Sequence, residues 1–161
     1  MESAITISQQ SSIKKVWKLL EGISDPEIPV LSVLDLGIVR SVSFNEANKL
    51  EVSITPTYSG CPAMDIISIN IRLALSAVGY KVFVVKQTLS PAWTTDWMTE
   101  SGKEKLKLYG IAPPKKNNEM PACPQCHSSD TKLLSQFGST ACKALYQCED
   151  CREPFDYFKC H

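Results

Sequence analysis

The sequence predicts an α/β (α+β) fold, a small mixed β-sheet with helices, followed by a small ribbon unit. Three observations predict it. Leu50, Val52 and Ile54 alternate with Glu51, Ser53 and Thr55, the period of a half-buried strand. Immediately beyond, Met64, Ile67, Ile71, Leu75 and Val78 recur at helical spacing, and the β-branched stretch 81–89 follows the helix. Beyond Pro121, two CxxC pairs stand with twenty-one residues between them.

Taken in order, residues 1–11 are polar and expected to fray. Ser12 is placed to cap a helix whose Ile13, Val16, Trp17, Leu20 and Ile23 form one apolar face. In Asp25-Pro26-Glu27-Ile28-Pro29 two prolines forbid a continuous helix, so Asp25 and Glu27 ride on a loop. Asp35 and Gly37 interrupt the apolar run 31–39, which predicts a short turn and then a strand through residues 38–44. The turn 45–48 returns the chain antiparallel into the strand at Leu50. The helix after Cys61 stops at Gly79, a suitable C-terminal cap. Strand 81–89, reached from the preceding strand through a helix, pairs parallel with it by a right-handed crossover. Thr95 or Asp96 is placed to open a turn, residues 104–109 predict a short helix ended by Gly110, and Trp93 and Trp97 are expected as lids on the core. The predicted organisation is therefore an α/β domain at 12–110, a linker rich in Pro, Lys and Asn at 111–121, and a ribbon at 122–161.

At 161 residues with a formal net charge of zero, the chain has room for one ordinary domain and a satellite, and it lacks the basic run that nucleic acid or an anionic membrane requires. No secretory signal opens it and no apolar stretch approaches membrane-spanning length, so a cytoplasmic location is expected. In a reducing compartment its seven cysteines point to metal ligation rather than a disulfide framework.

The corner Gly60-Cys61-Pro62 joins the second strand to its helix. With Pro62 at the first helical position, Cys61 becomes the N-cap, and its sulfur faces unpaired amides and the positive end of the helix dipole. A thiol pKa below about 8.5 is expected there, giving a thiolate that attacks electrophiles or binds soft metals. The competing reading is a small apolar residue packed under the helix start. Asp25 and Glu27, beside prolines, are placed to satisfy the amides of their own turn.

In the tail, Cys123 and Cys126 form one CxxC and Cys148 and Cys151 the other. Four thiolates from two knuckles satisfy tetrahedral zinc with no open position, and some forty residues need such a staple to fold. Spacing also permits iron or an iron-sulfur cluster, though a hairpin staple favours zinc. Stretches 132–137 and 144–147 supply the hairpin strands, while Phe155, Tyr157 and Phe158 offer apolar cover. Cys142, Cys160, His127 and His161 are left without a role. Both histidines lie in the tail, so a Cys-His nucleophile has no positioned base and thioester chemistry finds no support.

The motifs DPEIPVLSVLDLGIV, TPTYSGCPAM, SPAWTTDWM, GIAPP, FGSTACKALYQC and EPFDYFKCH occur in that order. Over its whole length the chain resembles the PaaD family, accessory subunits of the bacterial phenylacetyl-CoA epoxidase, and its first part is similar to the domain of SufT and the eukaryotic iron-sulfur targeting factors. The resemblance implies an iron-sulfur-cluster-assembly-like domain, no catalysis of epoxidation by this chain, Cys61 at the family's reactive position, and Asp25 and Glu27 in its DPE motif, as a loop that caps its own turn or supports a metal. It also implies that Cys61 transiently holds iron or an iron-sulfur cluster, or directs its insertion, for a client. The clients it implies are the epoxidase's di-iron oxygenase subunit and its iron-sulfur flavoprotein reductase. The sequence departs from the eukaryotic relatives at Pro62 and in its metal ribbon. The alternative is a stoichiometric structural subunit with no metal-transfer role.

Overall fold

The computed structural model describes residues 6–115 and 119–159. Helix α1 spans Ile7–Leu20, earlier than the expected start at Ser12. The reason is a capping box: the Thr6 hydroxyl accepts from the Gln9 amide at 3.2 Å, and the Gln9 side chain accepts from the Thr6 amide at 2.8 Å. Val16, Leu20 and Ile23 are buried, with Ile13 and Trp17 half-covered beside them.

Strands β1 (Val39–Phe44) and β2 (Leu50–Ile54) pair antiparallel from Val39↔Ile54 to Phe44↔Leu50, as the alternation predicts. The Asn45 side chain closes their turn by accepting from the Ala47 and Lys49 amides. Helix α2 (Ala63–Ala77) crosses back to β3 (Phe83–Gln87), which pairs parallel with β2, so the sheet is mixed with order β1-β2-β3. Ala63, Met64, Ile67, Ile71 and Leu75 face the sheet. Val78, expected among them, is 57% exposed because the helix ends at Ala77 and the backbone turns away.

A 3₁₀ turn at Thr95–Trp97 precedes α3 (Glu100–Leu108), which begins four residues before the expected 104 because the Thr99 hydroxyl caps it through the Gly102 amide at 2.9 Å. Trp93 is a buried lid, its Nε1 donating to the Leu36 carbonyl at 2.8 Å; Trp97 is half-exposed, with the Arg40 guanidinium 3.3 Å over its ring. The first residues of the expected linker form strand β4 (Ile111–Ala112), paired parallel with the ribbon strand β7 (Pro154–Phe158). The ribbon adds β5 (Thr131–Ser135) and β6 (Lys143–Cys148), giving a second sheet of order β4-β7-β6-β5. The stretch expected only as apolar cover is thus itself a strand, turned back after Cys151 by Arg152 at φ 65°.

One small cluster, Ala112, Cys123, Ala144, Cys148, Phe155 and Tyr157, lies within the ribbon. The main core crosses between the sheets: Cys142 and Phe158 are buried in the same cluster as Val16, Val52, Ile67 and Trp93, and the Phe158 ring meets Trp93 edge-on at 6.1 Å. Among the described residues no helix is long and apolar enough to cross a membrane.

Candidate functional site

Cys61 lies two residues before the first residue of α2, at the end of a tight turn in which its amide donates to the Tyr58 carbonyl at 3.2 Å and its carbonyl accepts from the Met64 amide at 3.2 Å. Gly60 takes φ +79° to make that turn, a region in which any side chain would be strained. Pro62, rather than Cys61, is the cap residue, already in helical conformation and with no side-chain bond to give. The sulfur nevertheless receives the Ala63 amide and the Tyr58 hydroxyl. The expected low thiol pKa is overturned. Burial pushes the Cys61 thiol up, and the Glu27 and Asp25 carboxylates push it further, outweighing the two hydrogen bonds. A shallow concavity of about 310 Å³ opens beside it, lined by Pro56, Ser59, Pro62, Asp65, Gln87 and Leu89.

The DPE loop faces that corner. Asp25 is buried and its Oδ1 accepts from the Glu27 amide at 2.8 Å and the Ile28 amide at 2.7 Å, the turn-capping geometry. Desolvation still raises its pKa against those two bonds. Glu27 is half-buried and is likewise held above the ordinary carboxylate range by burial and then by Asp25. Cys142, brought in by the ribbon, also faces these carboxylates. Burial raises its thiol, Glu27 and Asp25 raise it, and the hydroxyl of Thr140, 3.1 Å away, lowers it. Lys143 is the cation of the group; it is buried and its ammonium reaches Asp156 at 3.5 Å. The structure therefore brings Asp25, Glu27 and Cys61 together and adds Tyr58, Cys142 and Lys143. The added residues escaped the sequence reading because nothing local in residues 142–143 says which part of the chain they will meet.

The four ribbon cysteines converge as the spacing predicts. Their sulfurs all lie within 4.8 Å of one another, with Cys123 and Cys151 3.7 Å apart and Cys126 and Cys148 3.5 Å apart. A tetrahedron with zinc-sulfur bonds of about 2.3 Å has edges of about 3.8 Å, so the donor set fits that ion. The Cys151 amide and other donors draw the Cys148 thiol down to about 7, whereas Cys151, despite the Glu153 amide, is pushed up to about 12 chiefly by its neighbouring sulfurs. His127 sits in the knuckle turn at φ 62° with its amide on the Cys123 carbonyl, and is exposed. Cys160 and His161 lie outside the described residues.

Residues 112–159 match the PaaD zinc beta ribbon domain, and residues 13–85 match the iron-sulfur cluster assembly protein family. Across 154 residues the chain is 50% identical to a protein of Escherichia coli K12 named as a subunit of the putative 1,2-phenylacetyl-CoA epoxidase, covering 92% of this chain and 93% of that protein. The chain belongs to the PaaD family. Its first part is also 34% identical over 92 residues to an Fe-S protein maturation auxiliary factor of Porphyromonas gingivalis, covering 56% of this chain and 87% of that one. In fold this part is similar to the crystal structure of the domain of unknown function DUF59 from Bacillus anthracis, with TM-score 0.56 and 28% identity over 62% of this chain and 95% of that one. The two family matches meet the two sheets of this PaaD-family chain, and Cys61 falls in the first while Cys142 falls in the second.

Proposed function

We propose that the chain is a cytoplasmic accessory factor in maturation of the multicomponent phenylacetyl-CoA epoxidase of phenylacetate degradation. It has no catalytic step of its own. Cys61 transiently holds iron or an iron-sulfur cluster, or directs its insertion, in the di-iron oxygenase subunit or the iron-sulfur flavoprotein reductase. Asp25 and Glu27 support the site from the facing loop, and the zinc-stapled ribbon holds Cys123, Cys126, Cys148 and Cys151 as structural ligands. The observation that carries this reading is the meeting of Cys61, Tyr58 and the DPE loop, within the segment that matches the iron-sulfur assembly family, in a chain half identical to an epoxidase subunit over nearly its whole length. A thiol beside carboxylates that stays protonated until a cation arrives suits reversible metal holding better than nucleophilic attack.

The test is to purify the epoxidase from cells carrying Cys61→Ser and count its iron. Reduced iron in one component supports the reading and names the client; full iron with full activity sinks it. The second reading, a stoichiometric structural subunit, draws support from the exposed apolar stripe of α2, Ile66, Ile69 and Leu73, which no described residue covers. It expects equimolar co-purification with the epoxidase, loss of assembly on Cys123→Ser, and no effect of Cys61→Ser.

A further inference from the structure

Beside the Cys61 corner lies a second concavity, of about 280 Å³, lined by Thr55, Pro56, Tyr58, Leu89, Ala92 and Trp93. Pro56, Ser59 and Leu89 also line the concavity of about 310 Å³ at Cys61, so the two are lobes of one groove. Its place follows from the fold. Strands β2 and β3 run parallel and end together at Ile54↔Gln87, where the Thr88 amide donates to the Ile54 carbonyl at 2.9 Å. The first turn of α2 supplies Met64 and Asp65 to the same groove. Open α/β sheets hold ligands in the crevice at the carboxyl ends of their parallel strands. Three side chains here are those of an unfilled site. Thr55 is 1% exposed, and its hydroxyl has no hydrogen-bond partner among the described residues. A hydroxyl taken out of water without a partner is costly, and native folds rarely leave one so. Leu89, which walls both lobes, is 65% exposed. Trp93 has its Nε1 committed to the Leu36 carbonyl, so it offers the inner lobe only its apolar ring.

We infer that this groove receives an extended segment of the client protein, with a tyrosine in the inner lobe, its phenol paired with the Thr55 hydroxyl, and a lysine or arginine facing Asp65. Volume sets the scale. At about 280 Å³ the inner lobe falls just below the roughly 300–1,000 Å³ of small-molecule sites and suits one large side chain. Charge sets the sign. Asp65 is the one charged side chain among the described residues that line either lobe, so the groove disfavours phosphates, nucleotides and carboxylates and favours a cation. Chemistry sets the anchor. Walls of Pro56, Leu89, Ala92 and Trp93 take an apolar ring, and the buried hydroxyl takes a polar atom at the end of that ring. A tyrosine supplies both, and its hydroxyl can donate or accept. The outer lobe opens on the Cys61 thiol, so a segment seated in both lobes passes that sulfur. The inference rests on the maturation reading for the identity of the client; what it adds is the chemistry by which the client docks.

The experiment is an array of overlapping peptides tiled across the epoxidase's oxygenase and reductase subunits and across this chain, probed with the zinc-loaded full chain. Binding of each hit is then measured by fluorescence anisotropy. The expected hits are client peptides that carry a tyrosine within a few residues of a lysine or arginine. Leu89→Asp and Asp65→Lys should each weaken them by about tenfold or more. Thr55→Val should weaken them by about tenfold. Tyrosine to phenylalanine in the peptide should cost the same on the wild-type chain and nothing further on Thr55→Val, the signature of a direct pair. In the free chain Thr55→Val should keep or raise the melting temperature, since it removes a hydroxyl that nothing satisfies. A lower melting temperature would mean that the hydroxyl is already paired, and overturns the inference. So does an array without hits, binding that Leu89→Asp or Thr55→Val leaves unchanged, or hits confined to this chain's own peptides, which would make the occupant a second copy. Groove-dependent client binding alongside fully iron-loaded epoxidase from Cys61→Ser cells would keep the groove and sink the maturation reading. Lost iron with no client peptide bound would do the reverse, so the two fail separately.

Discussion

Cys61 is subject to two opposed influences, amides at a helix start that favour a thiolate and a buried acidic surrounding that opposes it, and the second is the larger. Its alkylation rate should therefore rise with a midpoint above the free-thiol value of about 8.5, and Glu27→Gln should move the midpoint down. A wild-type midpoint below that of free cysteine, read from iodoacetamide kinetics against pH, would restore the helix-start expectation. The same acids act on stability. A carboxyl whose folded pKa is raised binds more protons in the native state than in the unfolded one, so stability falls as pH rises from about 4 through the folded value. Glu27→Gln removes that penalty. Its melting temperature should exceed wild type at pH 7, with the difference closing below about pH 4; a lower melting temperature at neutral pH would mean that the carboxylate holds the fold together. Asp35 has the opposite sign. Burial alone would raise it, but Lys105 at 2.7 Å and the Ser32 amide and hydroxyl hold its carboxyl below the usual range, so its stabilisation is present above about pH 4 and is lost as pH falls through the lowered value.

Asp35 also explains why α3 carries Gly102. A Cβ there would stand 2.9 Å from both the Asp35 Cβ and its carbonyl oxygen, so the helix lies against the 32–37 turn at the distance a bare backbone allows. Mid-helix Gly→Ala ordinarily gains about 1 kcal/mol. Here Gly102→Ala should instead destabilise by roughly 1–3 kcal/mol through overpacking, measured by urea denaturation. A gain would show that the helix can shift outward freely. This contact also marks what the sequence could disclose. Strands β1 to β3, helix α2 and the paired knuckles are legible because period-2 and helical patterning and CxxC spacing are local signals. The starts of α1 and α3 were missed because the capping hydroxyls of Thr6 and Thr99 lie before the apolar pattern begins. Strand β4 was hidden because two residues carry no period, and β7 because its partners are non-local. At the candidate site, Cys61 is singled out by its Gly-Cys-Pro corner and Asp25 and Glu27 by the family motif, while the approach of Cys142 and Lys143 depends on how the ribbon docks.

That docking makes the metal's reach larger than the ribbon. Phe158 and Cys142 are buried with the residues of the first unit, and Ile111–Ala112, which leave α3, complete the ribbon sheet through β7. Removing zinc from a satellite joined by a loose linker would melt the satellite and leave the rest intact. Here the loss of β6 and β7 would uncover Trp93 and remove Lys143 from the facing carboxylates. The chain should therefore unfold in a single transition when zinc-loaded. A chelator should lower the melting temperature of the whole and speed alkylation of Cys61 in parallel with zinc release, since free energy of metal binding is folding free energy for the units it couples. Phe158→Ala, which keeps all four zinc ligands, separates packing from metal: it should destabilise by about 3–5 kcal/mol and expose Cys61 while zinc stays bound. Unchanged Cys61 kinetics in both the chelated chain and Phe158→Ala would mean that the two units stand apart in solution.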